Sequence, residues 1–163
     1  MTGRAGRRIS LVLMLWLAGC GPGQLPTPRE IPDVRLRTLA GQEVSLQAFR
    51  GQVLLVDFWA TWCGPCEQSI PELMRLQARY EKNGFKIIGI SLDVQGASVV
   101  APFVKKHGVN YTILLGDDEA AGAFGGIIGL PTSFLIDRQG RIVERFVGVR
   151  DNATYENVIR TLL

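Results

Sequence analysis

The sequence is short of several things at once, and each shortage closes off a class of protein. It has three cysteines in 163 residues, too few for the disulfide lattice of a small secreted scaffold. It has one histidine. With Cys20 engaged elsewhere, as argued below, only Cys63, Cys66 and His107 remain, one short of the four ligands of a structural zinc site, so no metal is expected. No apolar run approaches the roughly 20 residues of a membrane-spanning helix. No lysine follows Gly125, Gly126 and Gly129, so that loop is not a phosphate cradle. There is also little charge of one sign. The formal charge is +3, but the first 19 residues hold three arginines and no acid, which leaves 18 − 3 = 15 basic residues against 15 acidic ones. A neutral chain gives no electrostatic case for nucleic acid. What is present, 47% apolar and 20% charged residues, reads as one globular domain large enough to bury its own core.

The N-terminus reads as an address. Arg4, Arg7 and Arg8 precede a short apolar stretch, Ile9 to Leu17, broken only by Ser10. This is the layout of an export signal over residues 1–19. The stretch closes in Leu17-Ala18-Gly19-Cys20, which resembles the bacterial lipobox. That resemblance implies a lipidated Cys20 as the first mature residue, held to a membrane by acyl chains worth about 0.8 kcal/mol per buried CH₂. Arg7-Arg8 fits a twin-arginine export pattern only in part. From 21 to 32 the chain (GPGQLPTPREIP) carries four prolines and two glycines, so residues 20–32 read as the lipidated cysteine and an extended tether. Residues 33–163 are the domain.

Within that domain the pattern alternates. Val34–Leu39 and Glu43–Leu46 alternate polar and apolar residues across Ala40-Gly41, as a hairpin does. Val53–Ala60 (VLLVDFWA) and Phe85–Leu92 (FKIIGISL) are nearly continuous apolar runs, expected of strands buried on both faces. Between them Ile70, Leu73, Met74 and Leu76 recur at helical spacing up to Asn83-Gly84. Ser98–Lys106 is a second helix closed by Gly108, and His107 reads as a cation at its end. Thr112–Leu115 is a short strand, and 117–129 a glycine-rich loop with a short helix. Thr132–Ile136 and Ile142–Val147 form a second hairpin about Arg138-Gln139-Gly140. Asn152–Leu163 is a last helix with Tyr155, Val158, Ile159 and Leu162 on one face. This order implies an α/β fold, a mixed sheet with helices on both faces and an N-terminal β-hairpin.

Trp62-Cys63-Gly64-Pro65-Cys66 follows the first buried strand and opens a helix. Cys63 then sits where unpaired backbone N–H groups and the helix field favour a thiolate. Gly64 and Pro65 supply a tight turn, and proline suits a first helical turn because its missing N–H has no partner to lose. Cys66 lies one turn inside, within reach of Cys63. The pair permits thiolate attack by Cys63, a mixed disulfide, and its expulsion by Cys66.

The stretch Asp57-Phe58-Trp59-Ala60-Thr61-Trp62-Cys63-Gly64-Pro65-Cys66 resembles the thioredoxin active site. The stretch from Gly129-Leu130-Pro131-Thr132 to Gly140 resembles the second signature of the TlpA-like (ResA/DsbE-type) branch, membrane-tethered thiol–disulfide oxidoreductases outside the cytoplasm. The likeness runs from about Ile31 to Leu163 and implies a thioredoxin-like fold and a redox disulfide between Cys63 and Cys66. It implies that Pro131 is a cis-proline facing the disulfide, although cis X–Pro bonds are only about 5–6% of such bonds. It further implies that the Leu130 backbone takes a substrate segment as an added strand, and that Trp62 and Gly148 rim the nucleophile. Asp57 matches thioredoxin's buried acid. Burial raises a carboxyl's pKa, which fits a proton acceptor for Cys66 during resolution.

The chain also departs from the pattern of the family it resembles. Ser69 stands where some cytochrome-maturation members carry a glutamate, and Glu67 where thioredoxins usually have a lysine. The peroxiredoxin pattern needs a threonine and a proline where Ala60 and Val56 stand, which argues against a peroxidase. The Gly64-Pro65 dipeptide matches thioredoxin, and thus a reductant. The substrates expected are disulfide-bearing exported proteins, with apocytochrome c and copper-site assembly partners as candidates. A membrane electron donor would recharge the dithiol, no cofactor is needed, and the chain is expected to work as a monomer. Two other readings stay open on the sequence: a disulfide oxidase or isomerase, and a thiol chaperone that delivers copper or haem without turnover.

Overall fold

In the computed structural model the chain is described from residue 29 to 163. The expected leader, Cys20 and most of the tether lie outside these residues.

Strands β1 (Arg35–Thr38) and β2 (Glu43–Ser45) form the first hairpin. Leu46 does not extend β2. The Ser45 hydroxyl accepts the Gln47 N–H and starts a 3₁₀ turn over Leu46–Phe49, which drops Leu46 into the core. Strand β3 (Val53–Trp59) follows, every residue of it buried. Helix α1 (Gly64–Tyr80) runs into a 3₁₀ turn at Glu81–Asn83, and Gly84, with φ at 84°, closes it in the left-handed region that glycine adopts without strain. Then come β4 (Phe85–Ser91), α2 (Ala97–His107), β5 (Thr112–Leu115), α3 (Asp118–Ala123), β6 (Thr132–Ile136), β7 (Ile142–Val147) and α4 (Asn152–Leu162). Pro71 lies inside α1. It forfeits one backbone hydrogen bond, yet the helix stays continuous.

The seven strands form one sheet in the order β2-β1-β5-β4-β3-β6-β7. Strands β3, β4 and β5 are parallel, and the two hairpins flank them antiparallel. This is the mixed, helix-covered thioredoxin-like fold that the sequence predicts. Alternation along β3 divides the core. Leu54, Val56 and Phe58 point to one face, against Ile88, Ile90, Phe134, Ile136 and Phe124 beside α3. Phe58 meets Phe124 and Phe134 edge-on at 5.1 and 6.0 Å. Val53 and Leu55 point to the other, against Leu73, Leu76 and Tyr80 of α1 and Tyr155 and Ile159 of α4. Full burial of side chains of this size stabilises by about 1.5–3 kcal/mol each. Asp57 and Trp59 share the parity of Val53 and Leu55, so the polar member of β3 faces the helix that carries the cysteines.

Candidate active site

Strand β3 ends at Trp59, and the chain turns through Ala60 to Trp62 before α1 begins. Cys63 is the N-cap of α1, and its Sγ accepts the Cys66 N–H at 3.2 Å. The helix start therefore uses sulfur where serine or aspartate is the usual cap. Pro65 lies in the first turn and gives up no bond. Cys63 and Cys66 are joined, with an S–S distance of 2.00 Å. Cys66 is buried, and the Ser69 hydroxyl behind it bonds the Cys66 carbonyl at 2.8 Å.

Cys63 shows a small part of its surface into a groove of about 630 Å³, lined by Trp62, Cys63, Gly64, Pro65, Leu92, Asp118, Ile127, Ile128, Gly129 and Leu130. Trp62 is 70% exposed and Ile128 88% exposed. Two large apolar side chains held in water flank a reactive sulfur, the composition of a surface that meets a partner. Opposite, the Leu130–Pro131 peptide bond is cis. Pro131 is buried, and its carbonyl accepts the Gly148 N–H at 2.8 Å. Gly148 is thereby tied to Pro131, and it is not among the residues that line the groove.

The loop that presents Trp62 and Cys63 is anchored from β4. Asp93, buried just beyond β4, accepts the Thr61 N–H at 2.9 Å, the Thr61 hydroxyl at 2.5 Å and the Ser91 hydroxyl at 2.8 Å.

Asp57, on β3, is 3% exposed. Desolvation pushes its carboxyl up to about 7, opposed by one hydrogen bond from the Ser133 hydroxyl at 2.9 Å. Ser133 stands directly across from Asp57 in the β3–β6 pairing, and its oxygen is 2.9 Å from the Tyr155 hydroxyl of α4. Burial raises the Tyr155 phenol to about 12, with the Asp57 charge adding to the effect. Tyr111 is raised by the same two causes in the same order.

On the other flank of α1, His107 closes α2. Its ring stacks on Phe103 at 4.2 Å, and Nε2 lies 3.5 Å from Glu67 Oε1. The histidine thus stands at the end of α2, as the sequence reads it, with its ring packed on Phe103 and near the residue after Cys66. Among the described residues no cluster of three or more His, Cys, Asp or Glu side chains could hold a metal ion, and no helix is long and apolar enough to cross a membrane.

The structure brings Trp62, Cys63, Gly64, Pro65 and Leu130 to one groove; Cys66, Pro131 and Asp57 are buried and do not line it. Asp93, Thr61, Ser133, Tyr155 and Ile128 were not singled out from the sequence. Ser133 carried little signal: with Thr132 it precedes the apolar run Phe134–Ile136, whereas Asp57 interrupts an apolar run in β3.

A paired dithiol at a helix tip on this fold defines a thiol–disulfide oxidoreductase of the thioredoxin type. The chain belongs to the Redoxin family, whose profile matches residues 27–159. It is similar to the thiol-disulfide oxidoreductase ResA of Geobacillus thermodenitrificans, 33% identical over 72% of this chain and 67% of that one. ResA of Bacillus anthracis is 29% identical over 82% of this chain and 77% of its own. Among solved structures, a thiol:disulfide interchange protein of the thioredoxin family from Chlorobium tepidum superposes with a TM-score of 0.75 at 31% identity, covering 83% of this chain and 96% of that one.

Proposed function

We propose that this enzyme is an extracytoplasmic reductant of disulfides in exported proteins, delivered by a leader over residues 1–19, lipidated at Cys20 and carried on a tether ending near residue 32. The observation that carries the reading is the placement of Cys63 at the floor of an apolar groove with Cys66 shielded behind it. Only the outer sulfur can be reached by an incoming disulfide.

In the reduced enzyme the Cys63 thiolate attacks one sulfur of the substrate disulfide. The other substrate sulfur leaves as a thiolate and takes a proton from solvent. The substrate remains on Cys63 as a mixed disulfide, its chain lying along Trp62 and the Leu130 backbone as an added strand. Cys66 then loses its proton, with Asp57 as the acceptor, and its thiolate attacks Cys63 Sγ. The second substrate sulfur departs, and the Cys63–Cys66 disulfide forms. Two electrons have passed to the substrate, and a membrane donor must return two. Exported proteins with wrongly closed cysteine pairs, apocytochrome c and copper-site assembly partners among them, are the substrates this chemistry suits.

The test is insulin reduction by dithiothreitol. The protein is expected to accelerate it, and Cys63→Ser to abolish the acceleration. Cys66→Ala is expected to accumulate the mixed disulfide, whose partner can then be identified. A redox titration should settle nearer the thioredoxin potential of about −270 mV than the dedicated oxidant's −120 mV or so. A value at the oxidant end overturns the direction proposed here.

A further inference from the structure

We propose that Ser133 and Tyr155 are positioning residues for Asp57, a hydrogen-bonded pair that orients its carboxyl and holds its ionised form in readiness for the Cys66 proton. This rests on the reading of Asp57 as proton acceptor given above.

The geometry is specific. Asp57 is buried between Gly89 of β4 and Ser133 of β6 and has one side-chain donor, the Ser133 hydroxyl at 2.9 Å. A serine hydroxyl has a single proton. While that proton is given to an ionised Asp57, the Ser133 oxygen can only accept from Tyr155, and Tyr155 sits 2.9 Å away. The chain then runs from Tyr155 to Ser133 to Asp57, each donor strengthened by the one behind it. Once Asp57 is protonated the same three atoms can reverse, Asp57 donating to Ser133 and Ser133 to Tyr155. Both states of the acid are satisfied without moving a side chain, although Ser133 and Tyr155 are themselves buried. The two hydroxyls come from β6 and α4, so the acid on β3 is held from two further elements. The other titratable groups about this cluster are Tyr111, which feels the Asp57 charge, and Arg150, which bears on Tyr155. Neither donates a hydrogen bond to Asp57.

Loss of the Ser133 hydroxyl strands the carboxylate without its donor, so the acid must hold its proton more tightly. The measurement is a carbon-13 NMR titration of the Asp57 carboxyl in the full-length oxidised chain. Ser133→Ala is expected to move the midpoint up by about one unit. Tyr155→Phe should move it up by less, and Ser133→Thr, which keeps the hydroxyl, should leave it near the parent value. With the midpoint one unit higher, the ionised fraction at pH 7 falls about five-fold. Decay of the mixed disulfide should slow by that factor at pH 7 and recover above pH 8. A folded Ser133→Ala or Tyr155→Phe whose midpoint is unchanged or lower overturns the proposal. Failure of the parent reading shows differently: Asp57→Asn would resolve the mixed disulfide at full rate while the NMR midpoints still shifted in the hydroxyl variants.

Discussion

Thr61 presents both its backbone N–H and its hydroxyl to one carboxylate, that of Asp93, at 2.9 and 2.5 Å. The residue two before the nucleophile is thereby fixed to the end of a different strand. The hold is local to the site: it crosses from β4 to the loop that carries Trp62 and Cys63. Asp93→Ala leaves these donors and Ser91 without their acceptor. Hydrogen bonds to a charged group are worth about 1.5–3 kcal/mol each when broken on one side, and the three are not additive. Urea unfolding is expected to show a loss of about 3 kcal/mol, and a loss below about 1 kcal/mol would refute the anchoring role.

Asp57 gives stability a dependence on pH. In the folded chain its proton stays on until about pH 7, whereas the ordinary value is 3.8. Between those values the native state binds more protons than the unfolded one, so this residue's contribution to stability falls as pH rises from about 4 to 7. Asp57→Asn carries no charge at any pH and escapes the loss. The variant should match its parent near pH 4 and exceed it by up to about 4 kcal/mol at pH 8. A stability difference that stays flat across that range would contradict the desolvated environment described for Asp57.

Gly89 stands beside Asp57 in the β3–β4 pairing. A Cβ there would lie 2.8 Å from Ile113 Cδ1, 3.0 Å from Trp59 Nε1 and 3.2 Å from Tyr111 Cε2. Two of the three neighbours are rings that cannot fold away. Gly89→Ala is expected to cost about 1–3 kcal/mol by overpacking, read as a lower denaturant midpoint at unchanged slope.

The groove makes a kinetic claim. Trp62 and Ile128 pack on nothing comparable to their size, so their removal should spare the fold. Trp62→Ala and Ile128→Ser are each expected to lower kcat/KM for a protein disulfide by about ten-fold, about 1.4 kcal/mol of lost contact. Reaction with a small-molecule disulfide should hardly change. Equal losses on both substrates would mean that these side chains act on the sulfur and not on the partner.

Much of this was legible in advance, for identifiable reasons. Continuous apolar runs betrayed β3 and β4, because strands buried on both faces leave no polar alternation. Cys63 and Cys66 stood out because a strand, a turn with Gly64-Pro65 and a helix follow one another within a few residues. Asp57 was visible as a charge inside an apolar run. The hidden part is long-range. Ser133 and Asp57 are 76 positions apart, and nothing local says that β6 lies beside β3. The insertion of β5 between β1 and β4 was equally silent. Asp93 was missed because its partner, Thr61, reads as an ordinary loop residue until the two strand ends are brought together. The stacking of His107 on Phe103 follows from helical spacing, but its approach to Glu67 needs the packing of α2 on α1.

The described chain enters the fold by a short antiparallel bridge between Glu30 and Arg141, with the Arg29 carbonyl accepting the Ile142 N–H. Arg141 precedes β7 at the foot of the sheet, whereas Gly148 and Pro131 lie at its head. The separation is the length of β7, about 20 Å at 3.3 Å per residue. The sheet thus has two ends with separate duties: the chain joins it at the foot, and the sulfur pair meets its client about a strand's length away at the head.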